Sequence, residues 1–436
     1  MIRIISADWV LPVEGAPIEN GAVVVEDGRV VAVGSASELG EGERFEDAAI
    51  VPGFVNAHTH LEYAVYSGFG DGLGFARWIA LHVERKRRIG WDEFVAIARL
   101  GAAECLASGV TTVGDCSFSG ATAVGCDELG LRGTIYLEVF GADAEDALRQ
   151  FETKRERIEQ HLSLRLRLGV SPHAPYTVSL EAYRACAALG LPVATHLAES
   201  ADEHEYLTGA GGAWAGYAEL LVEPPGTTGV RLLAGAGLLG PELVAAHCVT
   251  VDDEEIALLA GHGAGVAHCP RSNAALGCGV APLAAIRGAG VRVGIGTDSP
   301  ASAPSLDFFE ELRSVLLSAR ARERRPDVLS AADALELGTL GSARSLGLDA
   351  EIGSLVPGKR ADLAVVSLAG SPYVPCEDPA AAVVFGGSPG CVLATLVEGE
   401  DRYRREVFPW QKLRSEAASA RSRMLTSDVP AVAAGA

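Results

Sequence analysis

The sequence predicts an α/β fold, a TIM-type (β/α)₈ barrel with a small β-sandwich domain formed from N- and C-terminal segments. From residue 50 onward, apolar strand-like runs alternate with helical stretches of ten or more residues, a rhythm typical of a parallel sheet. Strand-rich segments flank this region on both sides. The 436 residues, 48% of them hydrophobic, are enough for one large domain and one small domain.

The two ends of the chain are expected to build the β domain, from residues 1–50 and 350–412. Short runs bounded by turn signals predict its strands at Arg3–Ser6, Gly21–Val25, Arg29–Gly34, Gly358–Val366, Ala381–Val384 and Cys391–Val397. Residues 413–436 are rich in Ala and Ser and are expected to form a C-terminal tail whose final ten residues are mobile.

The barrel is expected to occupy residues 51–349. Its eight strands are predicted at Val51–Ala57, Thr111–Asp115, Gly133–Val139, Leu164–Val170, Pro192–Thr195, Leu243–Ala246, Ala264–Ala267 and Val291–Gly296. Helices are predicted at Glu93–Ala107, Leu180–Ala188, Ser305–Arg322 and Ala331–Leu346. In such barrels the chemistry lies at the C-terminal ends of the strands, so polar residues just after a strand are the candidates for the site.

Charge and cysteine content narrow the class of partner. A formal net charge of −21 argues against a nucleic-acid backbone as partner, because that interaction depends on clustered cations. Nine scattered cysteines without a Cys-x-x-Cys predict no disulfide framework. No signal peptide or membrane-spanning run is recognisable, so we expect a cytoplasmic protein that acts on a small molecule, with no membrane partner. The sequence leaves open whether the chain forms a homodimer.

Three histidines and an aspartate stand where three predicted strands end. His58 and His60 are two residues apart, so an extended strand points both imidazoles to one face; His196 and Asp298 follow later strands. Three neutral imidazoles and one carboxylate suit Zn²⁺, although Fe²⁺ accepts the same set. The sequence therefore predicts one catalytic divalent metal ion.

Other polar residues are expected around this metal. Glu199 follows His196 by three residues and is placed to move protons, while His247 is either a fifth ligand or a hydrogen-bonding partner of the attacking hydroxide. His173 lies between two prolines after the fourth strand and is expected to face the substrate.

The lysines favour a mononuclear site over a binuclear one. A second metal in such a barrel would need a bridging anion, commonly a carboxylated lysine at a strand end. The four lysines are Lys86, Lys154, Lys359 and Lys412, and none of them ends a predicted barrel strand.

These motifs resemble the amidohydrolase superfamily, in particular its mononuclear branch of deaminases and chlorohydrolases. The resemblance spans nearly the whole chain and rests on Pro52-Gly-Phe-Val-Asn-Ala-His-Thr-His, Ser171-Pro-His-Ala-Pro-Tyr, His196-Leu-Ala-Glu, His268-Cys-Pro-Arg-Ser-Asn, Gly296-Thr-Asp-Ser and Ile352-Gly-Ser-Leu. By this resemblance His58, His60, His196 and Asp298 hold the metal, Asp298 also accepts the proton of the water, and His247 orients the hydroxide. Glu199 is then the proton shuttle of a hydrolytic deamination.

The resemblance is less specific for the substrate. It is strongest to aminodeoxyfutalosine deaminases of menaquinone biosynthesis and to S-adenosylhomocysteine and methylthioadenosine deaminases, which implies a purine nucleoside; Trp78 and Glu84 are then expected at its ribose. Arg271 and Arg77 are candidates for an anionic tail, whereas the basic run from residue 85 to 88 is expected to be an ordinary charged helix face. The alternatives are a chlorohydrolase or deaminase of a triazine or pterin ring and, more distantly, a catalytically silent scaffold.

Overall fold

The computed structural model describes residues 2–209 and 211–425, except for the side chain of Ala215. Its strands are β1 (Ile2–Val10), β2 (Ile18–Glu26), β3 (Arg29–Ser35), β4 (Glu43–Pro52), β5 (Phe54–Thr59), β6 (Val110–Ser117), β7 (Arg132–Val139), β8 (Leu166–Pro172), β9 (Val193–Leu197), β10 (Leu243–His247), β11 (Gly265–His268), β12 (Arg292–Ile295), β13 (Leu363–Ser367), β14 (Val392–Val397) and β15 (Glu400–Arg404). The final ten residues, which the sequence predicts to be mobile, lie outside the described residues.

The helices follow in the same numbering. They are α1 (Ala36–Leu39), α2 (Phe75–Lys86), α3 (Trp91–Ala107), α4 (Ala121–Leu129), α5 (Ala144–Ile158), α6 (Leu180–Ala187), α7 (Ala201–Gly209), α8 (Gly229–Gly235), α9 (Asp253–His262), α10 (Pro270–Ala275), α11 (Leu283–Gly288), α12 (Phe308–Glu323), α13 (Ala331–Glu336), α14 (Ser342–Ser345), α15 (Pro379–Gly386) and α16 (Trp410–Leu425). None of these described helices is both long enough and apolar enough to cross a membrane.

Strands β5 to β12 form the predicted barrel, in chain order and all parallel. Its last and first strands meet through a parallel bridge between Thr59 and Asp298, where the Asp298 N–H donates to the His58 carbonyl at 3.0 Å. Asn56 and Thr297 add two hydrogen bonds at 2.7 and 2.9 Å. Closure of the barrel thus brings residues 240 positions apart to the same C-terminal rim.

The second domain is one mixed sheet from both ends of the chain, in the order β15-β14-β13-β4-β1-β2-β3. Only β1 and β4 pair in parallel; the other neighbours are antiparallel. Its own apolar core includes Ile5, Val23, Ile50, Leu363 and Leu396, all fully buried. The prediction of a β domain built from N- and C-terminal segments is confirmed.

Two local predictions are wrong. The apolar run Ala381–Val384 is helical, within α15, because Asp378 caps the helix by accepting the Ala381 N–H at 2.9 Å and Pro379 fits the first helical turn. The run Val51–Ala57 is two strands. The chain passes from the β4 sheet to the barrel at Gly53, where a Cβ atom would lie 2.2 Å from the Thr111 side chain.

Candidate active site

Five side chains predicted to form the site converge at the C-terminal rim of the barrel: His58, His60, His196, His247 and Asp298. The Nε2 atoms of His60 and His196 are 3.2 Å apart, and Asp298 Oδ1 lies 3.5 Å from His60 Nε2 and 3.8 Å from His58 Nε2. All four side chains are at least 94% buried. His247 completes the cluster, with its ring centroid 5.5 Å from that of His58.

The donor set fits a single divalent metal ion. The Nε2 atoms of His58 and His247 are buried and have no hydrogen-bond partner among the described residues. Two imidazole nitrogens bonded to one tetrahedral zinc at about 2.0 Å stand roughly 3.3 Å apart, close to the spacing of His60 and His196. The three histidines and the aspartate therefore have the chemistry and the spacing of a mononuclear centre.

Hydrogen bonds on the far side of two rings fix their tautomers. The His196 Nδ1–H donates to the His173 carbonyl at 2.9 Å, which leaves the Nε2 lone pair facing the cluster. The His247 Nδ1–H donates to Asn273 Oδ1 at 2.9 Å, so its Nε2 also faces inward as an acceptor. This bare nitrogen is compatible with both roles predicted for His247, ligand and acceptor of a hydrogen bond from water.

Burial keeps these imidazoles neutral, as metal ligands must be. It holds the pKa of His58 well below its usual range, with further lowering from the neighbouring imidazoles, and it lowers the pKa of His196 to about 3. The pKa of His247 is lowered for the same first reason.

Asp298 is held as a carboxylate. The hydroxyls of Ser272 and Ser302 donate to its Oδ2 at 2.6 and 2.8 Å, leaving Oδ1 for the cluster. Burial by itself would raise the pKa of Asp298, but the facing imidazoles outweigh that effect and hold the pKa below its ordinary value. Its φ of 56°, like the 74° of His247, is left-handed backbone, a strained conformation that often marks functional positions.

Glu199 stands beside the cluster with its Oε1 3.6 Å from His247 Nε2. Burial, together with the nearby charges of Asp298 and Glu203, raises its pKa well above the ordinary value. A raised pKa favours the protonated form of this carboxyl group, which is the form that can donate a proton to a substrate.

The structure shows a supporting residue that the sequence argument passed over. Glu203 is 1% exposed, and its carboxylate accepts the backbone N–H groups of Ala198 at 2.9 Å and Glu199 at 2.7 Å. It thereby fixes the turn that carries Glu199. In the sequence, only its position four residues after Glu199 indicates this role. The acidic residues around it are typical of a solvent-exposed start of a helix, so the sequence does not distinguish Glu203 from them.

The cluster forms the floor of a cavity of about 490 Å³. His60, His196, Glu199 and Asp298 line its inner end, and aromatic side chains line much of the rest. Both Trp78 and His173 line this cavity, where a substrate would contact them. The Trp78 Nε1–H donates to the Ala301 carbonyl at 3.3 Å, and His173 Nδ1 lies 2.7 Å from Thr177 Oγ1.

Glu84 and Arg271, the other two predicted substrate contacts, do not line this cavity. Glu84 lies on α2 and pairs with Arg88 one turn further along. Arg271 turns away to donate to the carbonyls of Ser305 and Asp307, and it forms ion pairs with Glu310 and Glu311 at 2.8 and 3.3 Å. Its role in the structure is to hold the segment that follows the last barrel strand. Arg77 is exposed and also lies outside the lining.

The basic run at the end of α2 is only in part the charged face that the sequence predicts. Arg85 and Arg88 donate to the Met424 carbonyl and so anchor α16, the helix within the predicted C-terminal tail. Lys86 instead lines the cavity together with Phe118 and Phe140.

Comparisons with known proteins give the family of this chain. A model of the amidohydrolase family matches residues 49–401. A 5-methylthioadenosine/S-adenosylhomocysteine deaminase of Symbiobacterium thermophilum is 35% identical over 419 residues, covering 92% of this chain and 93% of that protein. A 5′-deoxyadenosine deaminase of Methanothermobacter thermautotrophicus is 32% identical over 395 residues, covering 88% of this chain and 89% of that protein.

Solved structures of the same fold superpose on nearly the whole chain. A zinc-bound adenosine deaminase of Xanthomonas campestris superposes with a TM-score of 0.86 at 29% identity, covering 97% of this chain and 98% of that one. The zinc-bound atrazine chlorohydrolase TrzN of Arthrobacter aurescens superposes with a TM-score of 0.82 at 23% identity, covering 96% and 99%, and shows the same fold. This chain therefore belongs to the amidohydrolase family and is a hydrolase of carbon–nitrogen bonds in cyclic amidines.

Proposed function

We propose that this protein is a metal-dependent deaminase that replaces the 6-amino group of an adenine nucleoside by an oxo group and releases ammonia. Within that class we propose 6-aminodeoxyfutalosine, an intermediate of menaquinone biosynthesis, as the substrate. The observation that carries the proposal is the buried Glu199, whose pKa is raised by burial, beside His247 and the cluster of three histidines and Asp298. Hydrolysis at an amine-bearing ring carbon needs a group of this kind to protonate the ring and the leaving amine.

We propose that His58, His60, His196 and Asp298 hold the metal ion, Zn²⁺ in preference to Fe²⁺. A metal bound there supplies Lewis acidity and makes water a nucleophile at neutral pH. The Ser272 and Ser302 hydroxyls, which occupy Asp298 Oδ2, support this arrangement because they leave the other carboxylate oxygen free for the cluster.

The side chains around the cluster then divide the proton transfers. Asp298 accepts the proton of the attacking water, and the inward-facing Nε2 of His247 accepts a hydrogen bond that orients that water. Glu199 donates its proton to the ring nitrogen next to the attacked carbon as the new carbon–oxygen bond forms. The proton held by Asp298 then passes through Glu199 to the amine. The carbon–nitrogen bond breaks and ammonia leaves, while the proton on the newly attached oxygen passes to Glu199, which forms the oxo group and restores the protonated carboxyl.

The relatives and the cavity support a nucleoside with a modified 5′ end. Deaminases similar to this chain in sequence are named for adenine nucleosides that differ at the 5′ position, from a deoxy group to a methylthio group and a homocysteine. The cavity extends from the cluster past Trp78 and His173 to Phe118 and Lys86, so it has room for a base, a sugar and a further group.

The main alternative is hydrolysis of a triazine or pterin ring in the same site. The triazine-hydrolase likeness is below 25% identity and supports the fold alone. A catalytically silent scaffold is disfavoured because every ligand, Glu199 and the hydrogen bonds that orient them are in place.

A substrate panel tests the proposal. The purified enzyme, loaded with zinc, is assayed for ammonia release from 6-aminodeoxyfutalosine, S-adenosylhomocysteine, 5′-methylthioadenosine, 5′-deoxyadenosine and adenosine, with atrazine and a pterin as comparison substrates. We expect deamination of the nucleosides, with the highest kcat/KM for 6-aminodeoxyfutalosine. Turnover of a triazine or pterin without turnover of any nucleoside would refute the proposal.

A further inference from the structure

The cavity has a basic, aromatic end that the proposed reaction does not use. The Lys86 Nζ lies 3.9 Å from the ring centre of Phe118 and 5.1 Å from that of Phe140. The Lys154 Nζ lies 5.4 Å from the Phe118 ring centre. Two of the four lysines of the chain therefore meet the same aromatic ring.

Neither lysine forms an ion pair among the described residues, but only Lys86 also lacks a hydrogen-bond acceptor. The Lys154 ammonium donates to the Glu138 carbonyl at 2.6 Å. In the described part of the chain, the Lys86 ammonium has no carboxylate within ion-pair distance and no hydrogen bond, although its side chain lines the cavity. A partly desolvated cation without a partner is costly, and an anion bound in the cavity would relieve that cost.

The charge expected on Lys86 is compatible with an anion bound beside it in the cavity. Burial lowers the pKa of Lys86 to about 8, and the charge of Glu138 opposes that lowering without reaching ion-pair distance. Lys86 thus remains mostly protonated at neutral pH.

Four rings lie in a row between the basic end of the cavity and the cluster of proposed metal ligands. The ring centres of His196 and His173 are 4.7 Å apart, those of His173 and Phe140 are 4.9 Å apart, and those of Phe140 and Phe118 are 6.1 Å apart. The cavity thus offers a substrate whose reacting ring contacts His196 and Glu199 a path along this row toward Lys86.

We propose that Lys86 binds a carboxylate at the far end of the substrate's 5′ substituent, and that Phe118 and Phe140 pack against a flat apolar group that carries it. This assignment rests on the proposed function and adds the recognition of the tail. A carboxylate fits better than a phosphate because the nearby Glu138 carboxylate repels a dianion more strongly than a monoanion. The 3-carboxyphenyl group of 6-aminodeoxyfutalosine has this chemistry.

The test compares substrates with and without the charge, in enzymes with and without Lys86. The substrates are 6-aminodeoxyfutalosine and its methyl ester, with 5′-methylthioadenosine as an uncharged nucleoside and adenosine 5′-monophosphate as a phosphate probe. The enzymes are the wild type, Lys86→Met and, as a matched control, Lys412→Met, which removes the same charge from an exposed position on α16. The readout is kcat/KM from ammonia release.

We expect the wild type and Lys412→Met to favour the free acid over its ester by about 10 to 100-fold, the usual range for a hydrogen bond to a charged group. In Lys86→Met this ratio should fall to about one. The comparison of acid and ester in the wild type needs no variant, so it holds even where Lys86→Met does not fold.

Three results would overturn the assignment while leaving the proposed deaminase function intact. They are an acid-to-ester ratio near one in the wild type, an unchanged ratio in Lys86→Met, and a preference for adenosine 5′-monophosphate over the carboxylate nucleoside. Failure to release ammonia from any nucleoside, 5′-methylthioadenosine included, would overturn the function and the assignment together.

Discussion

Single residues decide whether this site can act as a deaminase, and Glu199 is the most important of them. Its carboxyl group is buried, with Oε1 3.6 Å from His247 Nε2, and burial raises its pKa well above the ordinary value. Glu199→Gln keeps the shape and removes the transferable proton. We expect kcat to fall about 10² to 10⁴-fold, as measured by ammonia release, with the zinc content unchanged.

Glu205→Gln is the matched control for this prediction, because Glu205 is exposed on α7 a few residues further on. It should keep the wild-type kcat. Full turnover by zinc-loaded Glu199→Gln would refute the role of Glu199 as proton shuttle.

Glu203 acts on the reaction through the backbone of Glu199. Both of its carboxylate oxygens accept N–H groups, whereas a glutamine offers only one acceptor and turns an NH₂ group toward the other N–H. We expect Glu203→Gln to lower kcat about tenfold by misplacing Glu199, with little change of KM or of zinc content. A rise of KM at unchanged kcat would show that Glu203 does not position Glu199.

The convergence of the proposed metal ligands could be predicted from the sequence, whereas the side chains that line the rest of the cavity could not. His58 and His196 lie in the last residues of β5 and β9, and Asp298 comes shortly after β12. Barrel closure brings such strand ends together in any chain of this fold. Glu84 and Lys86 lie two residues apart on α2, and only the rotation of that helix decides that Lys86 lines the cavity while Glu84 pairs with Arg88. That rotation depends on tertiary packing.

At the scale of elements, α3 carries a buried carboxyl group that should make the free energy of unfolding depend on pH. Glu104 lies on α3 facing a second cavity bounded by Trp410 and Arg414, and burial raises its pKa to about 7 despite the opposing effect of Arg414. In the unfolded chain the same carboxyl ionises near its ordinary value of 4.5. The folded state therefore holds a proton that the unfolded state has lost between these pH values, and the stability from this group falls as pH rises toward 7.

Glu104→Gln cannot ionise and should remove this dependence. We expect the variant to match the wild type at pH 4.5 and below, and to exceed its free energy of unfolding above pH 7 by up to about 3 kcal/mol. Urea unfolding across this pH range measures the effect, with the exposed Glu156→Gln on α5 as control. A Glu104→Gln variant that is no more stable than the wild type at high pH would contradict this explanation by a buried carboxyl group.

Elements were predicted best where an apolar run has a polar or glycine boundary. The barrel strands β6 to β12 lie within a few residues of their predicted positions. Strand β4 was missed because its first half, Glu43–Asp47, is largely polar, and α15 was predicted to be a strand because its run is apolar on every face. Short apolar runs cannot distinguish a buried strand from a buried helix.

At the scale of the whole molecule, one buried ion pair joins the barrel to the β domain. Arg132, at the start of β7, pairs with Asp362 at 2.8 Å and with Glu398 at 3.1 Å, and the side chains of Arg132 and Asp362 are 6% and 2% exposed. It lies at the end of the barrel opposite the metal cluster. The pair thus supports the joint between the domains and has no part in the chemistry.

Arg132→Met should therefore separate stability from activity. Removing the guanidinium leaves Asp362 buried without its cation, and we expect a loss of about 3 to 5 kcal/mol in the free energy of unfolding, measured with urea. Where the variant is folded, its kcat should stay near the wild-type value. The exposed Arg149→Met should change neither quantity, and a loss of kcat in folded Arg132→Met would contradict this separation.

The central claim is that water replaces an amine on a purine ring at the Glu199 site, and isotope labelling tests it most directly. Zinc-loaded enzyme is incubated with 6-aminodeoxyfutalosine in water labelled with heavy oxygen, and the product and the ammonia are both quantified, the product by mass spectrometry. We predict one labelled oxygen in the base of the product for each ammonia released, and formation of this product about 10² to 10⁴-fold more slowly by Glu199→Gln. An unlabelled product, label in any part other than the base, or product without ammonia would contradict the account.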